Sequence, residues 1–165
     1  MNASVPHLIQ RHRSSGIVVD TNLLLLYLIG RFDQTAITTF KRTNKYAPED
    51  FALLFRLLGS FRRVLTTPHV LTEVTDLAET FNRQRGFGFF RRLQSEIRAF
   101  AEHCLASKDV SSTHCFLEFG LADATLKELA RQDRLILTDE LPLYLHLARE
   151  RLPVINFTHL RTIGV

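Results

Sequence analysis

The fold is decided by the stretch Gly16-Ile17-Val18-Val19-Asp20, a short aliphatic run that ends in an acidic residue. A second stretch of the same kind, Leu135-Ile136-Leu137-Thr138-Asp139, lies near the other end of the chain. Short apolar runs of this type are typical of buried strands in a parallel sheet. Because open α/β sheets bind ligands beyond the carboxyl ends of their strands, Asp20 and Asp139 are expected to meet at one sheet edge. A hard metal ion could be held there.

The rest of the chain alternates between strand and helix patterns. Further strands are predicted over residues 62–67 and 152–156, and helices over residues 23–29, 47–61, 68–79, 90–106, 120–131 and 141–151. This alternation favours an α/β fold, in which helices flank a central parallel sheet in three layers. Residues 1–15 are predicted to form a loose N-terminal arm, and residues 16–165 a single domain.

The composition is typical of one globular domain, and it also indicates in which cellular compartment the protein is expected. The chain has 165 residues, 45% of them hydrophobic, and a formal net charge of +4, which suits a polyanionic partner. Its two cysteines, Cys104 and Cys115, lack zinc-site spacing and are expected to be free thiols in a reducing compartment. The N-terminus lacks the apolar core of a signal peptide, and no apolar run approaches the length of a membrane span. A cytoplasmic protein with no membrane partner is therefore expected.

Two further acids strengthen the case for a cation site. Glu73 lies one turn into the helix that begins at Pro68, and Asp123 lies early in a helix within the segment Gly120-Leu121-Ala122-Asp123-Ala124. A plainer interpretation exists for each acid, since an aspartate after a strand can cap a helix and an acid in a first turn complements the helix dipole. However, the neighbours of Asp123 are apolar, and a buried unpaired carboxylate is costly unless a cation joins it. Taken together, the acids favour a cation site.

These segments resemble PIN-domain nucleases, a family that includes the ribonuclease toxins of bacterial toxin–antitoxin pairs. The resemblance extends over residues 16–157. It rests on four segments, which are Ile17-Val18-Val19-Asp20-Thr21-Asn22, Glu73 after Thr67-Pro68, Gly120-Leu121-Ala122-Asp123-Ala124 and Leu137-Thr138-Asp139. It implies a three-layer α/β/α fold of the PIN type and a pocket in which acids bind Mg²⁺ or Mn²⁺. It also implies metal-dependent cleavage of RNA.

The resemblance assigns roles residue by residue. Asp20 matches the first family acid, Glu73 the second and Asp123 the third. Asn22 matches a small polar position two residues after the first acid, and Thr138 matches a hydroxyl residue at the end of the last strand. These two side chains are expected to orient the carboxylates or the water that the metal activates.

The fourth acid stays open between Asp139 and Glu140. Family members place this acid either directly after the hydroxyl residue or one position later, and an acid stands at both places here. Asp139 is preferred and Glu140 is the alternative. The expected metal ligands are therefore Asp20, Glu73, Asp123 and Asp139.

The predicted function is a divalent-metal-dependent endoribonuclease. The resemblance favours the toxin of a bacterial toxin–antitoxin pair and leaves open a stand-alone domain of RNA processing or decay. The resemblance implies RNA as the substrate, an antitoxin protein as a partner, and a homodimer. The chain departs from compact family members between Gly30 and Arg63, where a helical insertion is predicted around residues 31–62. This insertion leaves substrate contacts and dimer geometry open.

Three alternatives belong to other classes. The first is a non-catalytic RNA- or protein-binding module that keeps the fold, although such a module has no need of the four acids. The second is a phosphatase of the haloacid-dehalogenase type, which is disfavoured because Asn22 stands where that family has a second aspartate. The third is an RNA-recognition motif at Arg85-Gly86-Phe87-Gly88-Phe89, which is disfavoured because Phe90 and Arg92 do not fit the signature. The arginines and phenylalanines of this stretch could still contact phosphates and bases.

Overall fold

A five-stranded parallel sheet forms the centre of the protein in a computed structural model, which describes residues 4–163. The strands are β1 (Ile17–Val19), β2 (Val64–Thr66), β3 (Ala101–Glu102), β4 (Leu135–Thr138) and β5 (Val154–Asn156). Each strand is parallel to its neighbours. Helices flank this sheet, so the three-layer α/β/α fold class predicted from the sequence is confirmed.

Nine helices accompany the sheet within residues 4–163. They are α1 (Val5–His12), α2 (Thr21–Phe32), α3 (Pro48–Gly59), α4 (Pro68–Gln84), α5 (Gly88–Ala99), α6 (Ser107–Val110), α7 (His114–Arg131), α8 (Leu141–Arg149) and α9 (Phe157–Ile163). A short 3-10 turn at Gln34–Ala36 and helix α3 occupy the predicted insertion. Among these residues we find no helix whose length and apolar character would suit it to crossing a membrane.

The strand order reverses at β1. The order across the sheet is β3-β2-β1-β4-β5, so the chain extends the sheet in one direction from β1 and later returns to extend it in the other. Val19 pairs with Leu137, and the amide of Asp20 donates to the carbonyl oxygen of Leu137 at 3.0 Å. The carboxyl ends of β1 and β4 therefore lie side by side, at the switch point where open α/β sheets bind ligands.

Helix α2 fixes the position of the residues that follow β1. Its leucines Leu23, Leu24, Leu25 and Leu26 are at most 1% exposed, and the helix packs against α3, α4 and α5. The helix continues past Gly30, three residues beyond the predicted end at residue 29. A Cβ at Gly30 would lie 2.2 Å from Cδ2 of Phe51, so glycine here allows α3 to approach α2 closely.

Several boundaries differ from the predictions. The prediction of a loose arm over residues 1–15 is corrected, because this stretch contains helix α1. Leu8 of α1 joins the core, and Arg11 pairs with Asp133 at 2.8 Å. Residues 1–3 of that arm lie outside the described residues. The helix predicted over residues 90–106 ends at Ala99, and β3 begins two residues later. Helix α9 was not predicted. A strand of two residues and a terminal helix of seven are both too short for periodicity to reveal.

Candidate active site

Asp20 lies at the junction of β1 and α2 and is 3% exposed. Its Oδ1 accepts a hydrogen bond from the amide of Leu23 at 2.9 Å, which confirms the helix-cap interpretation. Its Oδ2 accepts from the amide of Asp139 at 3.0 Å, which ties the ends of β1 and β4 together. Burial, and secondly the charge of Asp139, raise the pKa of the Asp20 carboxyl well above its ordinary value. Asp20 is therefore both a structural cap and a carboxylate that is costly to ionise.

Glu73 and Asp123 approach the same edge from two different helices. The hydroxyl of Thr21, directly after Asp20, donates to Oε2 of Glu73 on α4 at 2.7 Å. Asp123 lies on α7, three residues after Gly120, where the helix is broken by a φ of +80° that favours glycine. Burial raises the pKa of the Asp123 carboxyl to about 7, and the charges of Glu140 and Glu73 contribute to this shift. These three acids are thus close enough to repel one another.

Glu140 joins this group through Asn22. The Asn22 side-chain amide donates to Oε1 of Glu140 at 3.0 Å. The amide of Glu140 in turn donates to the hydroxyl of Thr138, which is fully buried at the end of β4. Burial is the main cause that raises the pKa of Glu140, followed by the charge of Asp139. The two small polar residues assigned from the sequence, Asn22 and Thr138, therefore both hold Glu140.

Asp139 has different partners. Its Oδ2 accepts hydrogen bonds from Nζ of Lys45 and from the hydroxyl of Tyr46, both at 2.6 Å. Its side chain is only 7% exposed, and its Oδ1 is buried and receives no hydrogen bond from any residue within 4–163. The two acids left open as the fourth acid thus both lie at the site, Asp139 bonded to Lys45 and Tyr46 and Glu140 bonded to Asn22.

The contacts bring all the predicted site residues to one sheet edge. Each of them either forms a hydrogen bond at this edge or lies near enough to another acid for their charges to repel. The set consists of Asp20, Asn22, Glu73, Asp123, Thr138, Asp139 and Glu140. The described part of the chain nevertheless contains no group of three or more His, Cys, Asp or Glu side chains at the separations of a formed metal site. The arrangement is a cluster of mutually repelling carboxylates around which a cation could bind.

Two side chains at this edge, Lys45 and Tyr46, were not predicted from the sequence. They come from the stretch between the 3-10 turn and α3, where no hydrophobic periodicity marks a structure. Their contact with Asp139 joins residues more than 90 positions apart in sequence, for which a single sequence offers no signal.

A second missed feature connects the helices that carry Glu73 and Asp123. His69 on α4 lies 3.2 Å through Nδ1 from the hydroxyl of Thr125 on α7, and 2.8 Å through Nε2 from the hydroxyl of Ser107. Since the Thr125 hydroxyl donates to the carbonyl of Leu121, it accepts from Nδ1–H of His69. The His69 imidazole therefore links α4 to α7 close to the two acids.

The arginine- and phenylalanine-rich stretch lies elsewhere in the fold. Residues 85–87 connect α4 to α5, and Gly88 and Phe89 begin α5, so the stretch lies between two helices and not on a strand. Phe89 is 1% exposed and packs edge-on against Phe32 and Phe81, whereas Phe87 is 60% exposed. Arg85 forms an ion pair with Asp33 at 3.3 Å. This stretch contributes none of the contacts of the acid cluster.

Chemically, the cluster offers oxygen ligands only, at a switch point of the sheet, with hydroxyl and amide side chains that fix the carboxylates. Such a donor set suits a hard divalent cation and a phosphate-bearing substrate. In comparisons with known proteins, no family model matches the chain, and no curated protein or solved structure is significantly similar to it.

Proposed function

We propose that this protein is a divalent-metal-dependent endoribonuclease, with its active site beyond the carboxyl ends of β1 and β4. The observation that carries the proposal is the convergence of Asp20, Glu73, Asp123 and Glu140 at the switch point of the sheet. Asp20 is buried and Asp123 half-buried, whereas Glu73 and Glu140 are exposed. Carboxylates held beside one another destabilise their own ionised forms, most of all the buried ones, and a bound cation offsets that cost. The resemblance to PIN-domain nucleases provides the substrate class, RNA.

The residues present fit Mg²⁺ or Mn²⁺. Oδ1 of Asp139 is a buried carboxylate oxygen without a donor among residues 4–163, and Glu140 receives a side-chain hydrogen bond on Oε1 from Asn22. Both acids therefore retain lone pairs for a cation. Mg²⁺ is usually held by one or two carboxylates, with water and substrate phosphate at its other positions. A preformed set of three protein ligands is not required.

Each side chain has a distinct task in this proposal. Asp20, Glu73, Asp123 and either Asp139 or Glu140 would supply oxygen ligands to the ion, which when bound would activate water for attack and offset charge on the phosphate. Thr21 orients Glu73 and Asn22 orients Glu140, each by one hydrogen bond. Asp20 keeps the ends of β1 and β4 in register through the amide of Asp139. Hydrogen bonds of this kind limit the rotation of carboxylates and tune their affinity for a metal.

The proposal is tested by incubating the protein with a labelled RNA pool in Mg²⁺, in Mn²⁺ or in EDTA. We expect internal cleavage with either metal, none in EDTA, and recovery when Mg²⁺ is added in excess of the chelator. Cleavage that persists in EDTA would exclude the mechanism. Retention of RNA without cleavage in any metal would instead favour the non-catalytic binding module.

Two variants distinguish the candidates for the fourth acid. Glu140→Gln is expected to lower cleavage by about tenfold or more, because the charge of Glu140 acts on Asp123 and the Asn22 amide fixes its carboxylate. Asp139→Asn is expected to have the smaller effect, because Lys45 already offsets the charge of Asp139. Initial cleavage rates over a range of Mg²⁺ concentrations provide the comparison. A larger loss of cleavage rate in Asp139→Asn than in Glu140→Gln would identify Asp139 as the metal ligand.

The roles that rest on the resemblance and on composition stay predictions. They are the toxin function, an antitoxin partner, a homodimer and a cytoplasmic location. Cys104 and Cys115 are both free thiols, which agrees with the reducing compartment expected from the sequence.

A further inference from the structure

The stretch between the 3-10 turn and α3 is fixed to the body of the protein by three anchors, the half-buried Phe40 and the buried Thr43 and Tyr46. The ring of Phe40 lies 5.0 Å from that of Phe81 on α4. The hydroxyl of Thr43, which is fully buried, donates to the carbonyl of Ile37 at 2.9 Å. Tyr46 is 2% exposed and reaches Asp139 through its hydroxyl. The backbone from residue 40 to residue 46 is therefore held in one place beside the acid cluster.

The side chains between these anchors point outward, and most are cationic. Lys41, Arg42, Asn44 and Lys45 are all exposed. Lys45 is 52% exposed although its Nζ lies 2.6 Å from Asp139. Neither Lys41 nor Arg42 forms an ion pair with any residue in the range 4–163. We call residues 41–45 the basic segment.

We propose that the basic segment binds the phosphate backbone of RNA and leads it to the acid cluster, an inference that rests on the proposed nuclease function. A cluster of carboxylates repels a polyanion, so attraction must come from cations close by. The basic segment supplies them along a line that ends at the acid cluster, because Lys45 contacts Asp139 while Lys41 lies in a groove with Gln84 and Arg85, at the far end of α4.

The anchoring also favours binding. Since Phe40, Thr43 and Tyr46 already hold the backbone, the segment does not have to be ordered when RNA binds, and less affinity is lost. Lys41 and Arg42 are exposed and have no carboxylate partner to give up. Contacts of this kind read phosphates and not bases, so the segment is expected to bind RNA of any sequence.

The test measures RNA binding in EDTA, which removes the divalent metal that the proposed cleavage requires. Binding of a fluorescein-labelled oligouridylate is followed by anisotropy between about 50 and 200 mM salt, for the wild type and for Lys41→Gln/Arg42→Gln. Each lost phosphate contact lowers the slope of log Kd against log salt by about 0.7 for a single strand, so the double variant is expected to lose about 1.4. A second labelled RNA of mixed sequence should give the same change.

The matched control is Arg13→Gln/Arg62→Gln. Both arginines are exposed, and both precede strands, β1 and β2, so they lie at the opposite edge of the sheet. This control removes the same charge and is expected to keep most of the slope. An equal loss in the two double variants, no change in the basic-segment variant, or no RNA binding by the wild type at low salt would each overturn the inference.

Failure of the inference is distinguishable from failure of the proposed function. If the wild type cleaves RNA with Mg²⁺ but the basic-segment variant keeps its full salt slope, the inference is wrong and the nuclease stands. If the slope falls as expected but no metal supports cleavage, the basic segment is an RNA-binding surface of a non-catalytic module. Thermal melts of both double variants check that each remains folded.

Discussion

Asp20→Asn is expected to lower Mg²⁺-dependent RNA cleavage by about 100- to 1,000-fold in a protein that still folds. A catalytic metal supplies several kcal/mol of transition-state stabilisation, and each 1.4 kcal/mol is worth a factor of ten in rate. The substitution removes the carboxylate that lies deepest at the switch point and leaves its volume almost unchanged. Single-turnover cleavage at saturating Mg²⁺ measures the effect.

The substitution also carries a structural cost that must be measured separately. Both oxygens of Asp20 accept backbone hydrogen bonds, from Leu23 and from Asp139, whereas asparagine offers one acceptor and would turn its NH₂ toward the other amide. An unmatched buried donor costs about 1–3 kcal/mol, which the removal of a buried charge partly offsets. Denaturant unfolding of the variant reports the balance.

Asp133→Asn is the matched control for Asp20→Asn. Asp133 is an exposed aspartate in the turn before β4, at the opposite edge of the sheet, with a φ of +59° that asparagine tolerates well. We expect this variant to cleave RNA at the wild-type rate. If Asp20→Asn retained wild-type cleavage while folded, or if Asp133→Asn lost it equally, the assignment of the active site would be wrong.

The metal-free protein is expected to lose stability as pH rises from about 5 to 8, and Mg²⁺ is expected to restore much of that loss. The pKa of Asp123 is raised to about 7 in the folded protein, far above its ordinary value near 4. Between these two values the folded state keeps a proton that the unfolded state has lost. Stability therefore falls with pH across this window, by up to about 1.4 kcal/mol per pH unit for one proton.

The sign of this dependence follows from the raised pKa. The contribution of Asp123 is complete below the unfolded value, near pH 4, and is lost as pH rises through about 7. Asp20, whose pKa is also raised, acts in the same direction. A bound cation favours the ionised carboxylates, so Mg²⁺ should stabilise the protein more at pH 8 than at pH 5.

Thermal or urea unfolding in EDTA and in saturating Mg²⁺, at several pH values, provides the measurement. Asp123→Asn is expected to flatten the pH dependence of the metal-free protein and to weaken stabilisation by Mg²⁺. Asp133→Asn again serves as the control and should leave both unchanged. A metal-free protein that became more stable from pH 5 to pH 8 would contradict the prediction.

Much of the fold and of the site could be predicted from the sequence because local patterns determine them. The runs before Asp20 and Asp139 are too apolar and too short for anything but buried strands, and parallel strands bring their ends to one edge. Asn22 and Thr138 were assigned through the resemblance to PIN-domain nucleases and not from the pattern alone. The positions of Glu73 and Asp123 followed from helices with clear apolar stripes, although the start of α7 and its break at Gly120 did not.

What the sequence could not provide depends on contacts between distant segments. Asp139 and Glu140 are consecutive residues in a chain that is leaving the sheet, and only their partners decide where each carboxylate points. Those partners include Lys45 and Tyr46, in a stretch without periodicity. Strand β3 was missed because a two-residue strand depends on its neighbour β2 and not on its own composition.

The reversed strand order has a consequence for the proposed activity during synthesis of the chain. Asp20 is made early, but the amide that it holds belongs to a residue 119 positions later. A nascent chain on the ribosome therefore carries its first acid long before β4 emerges and completes the acid cluster. Under the proposed function, the chain would in this way stay inert toward its own messenger until β4 has paired with β1.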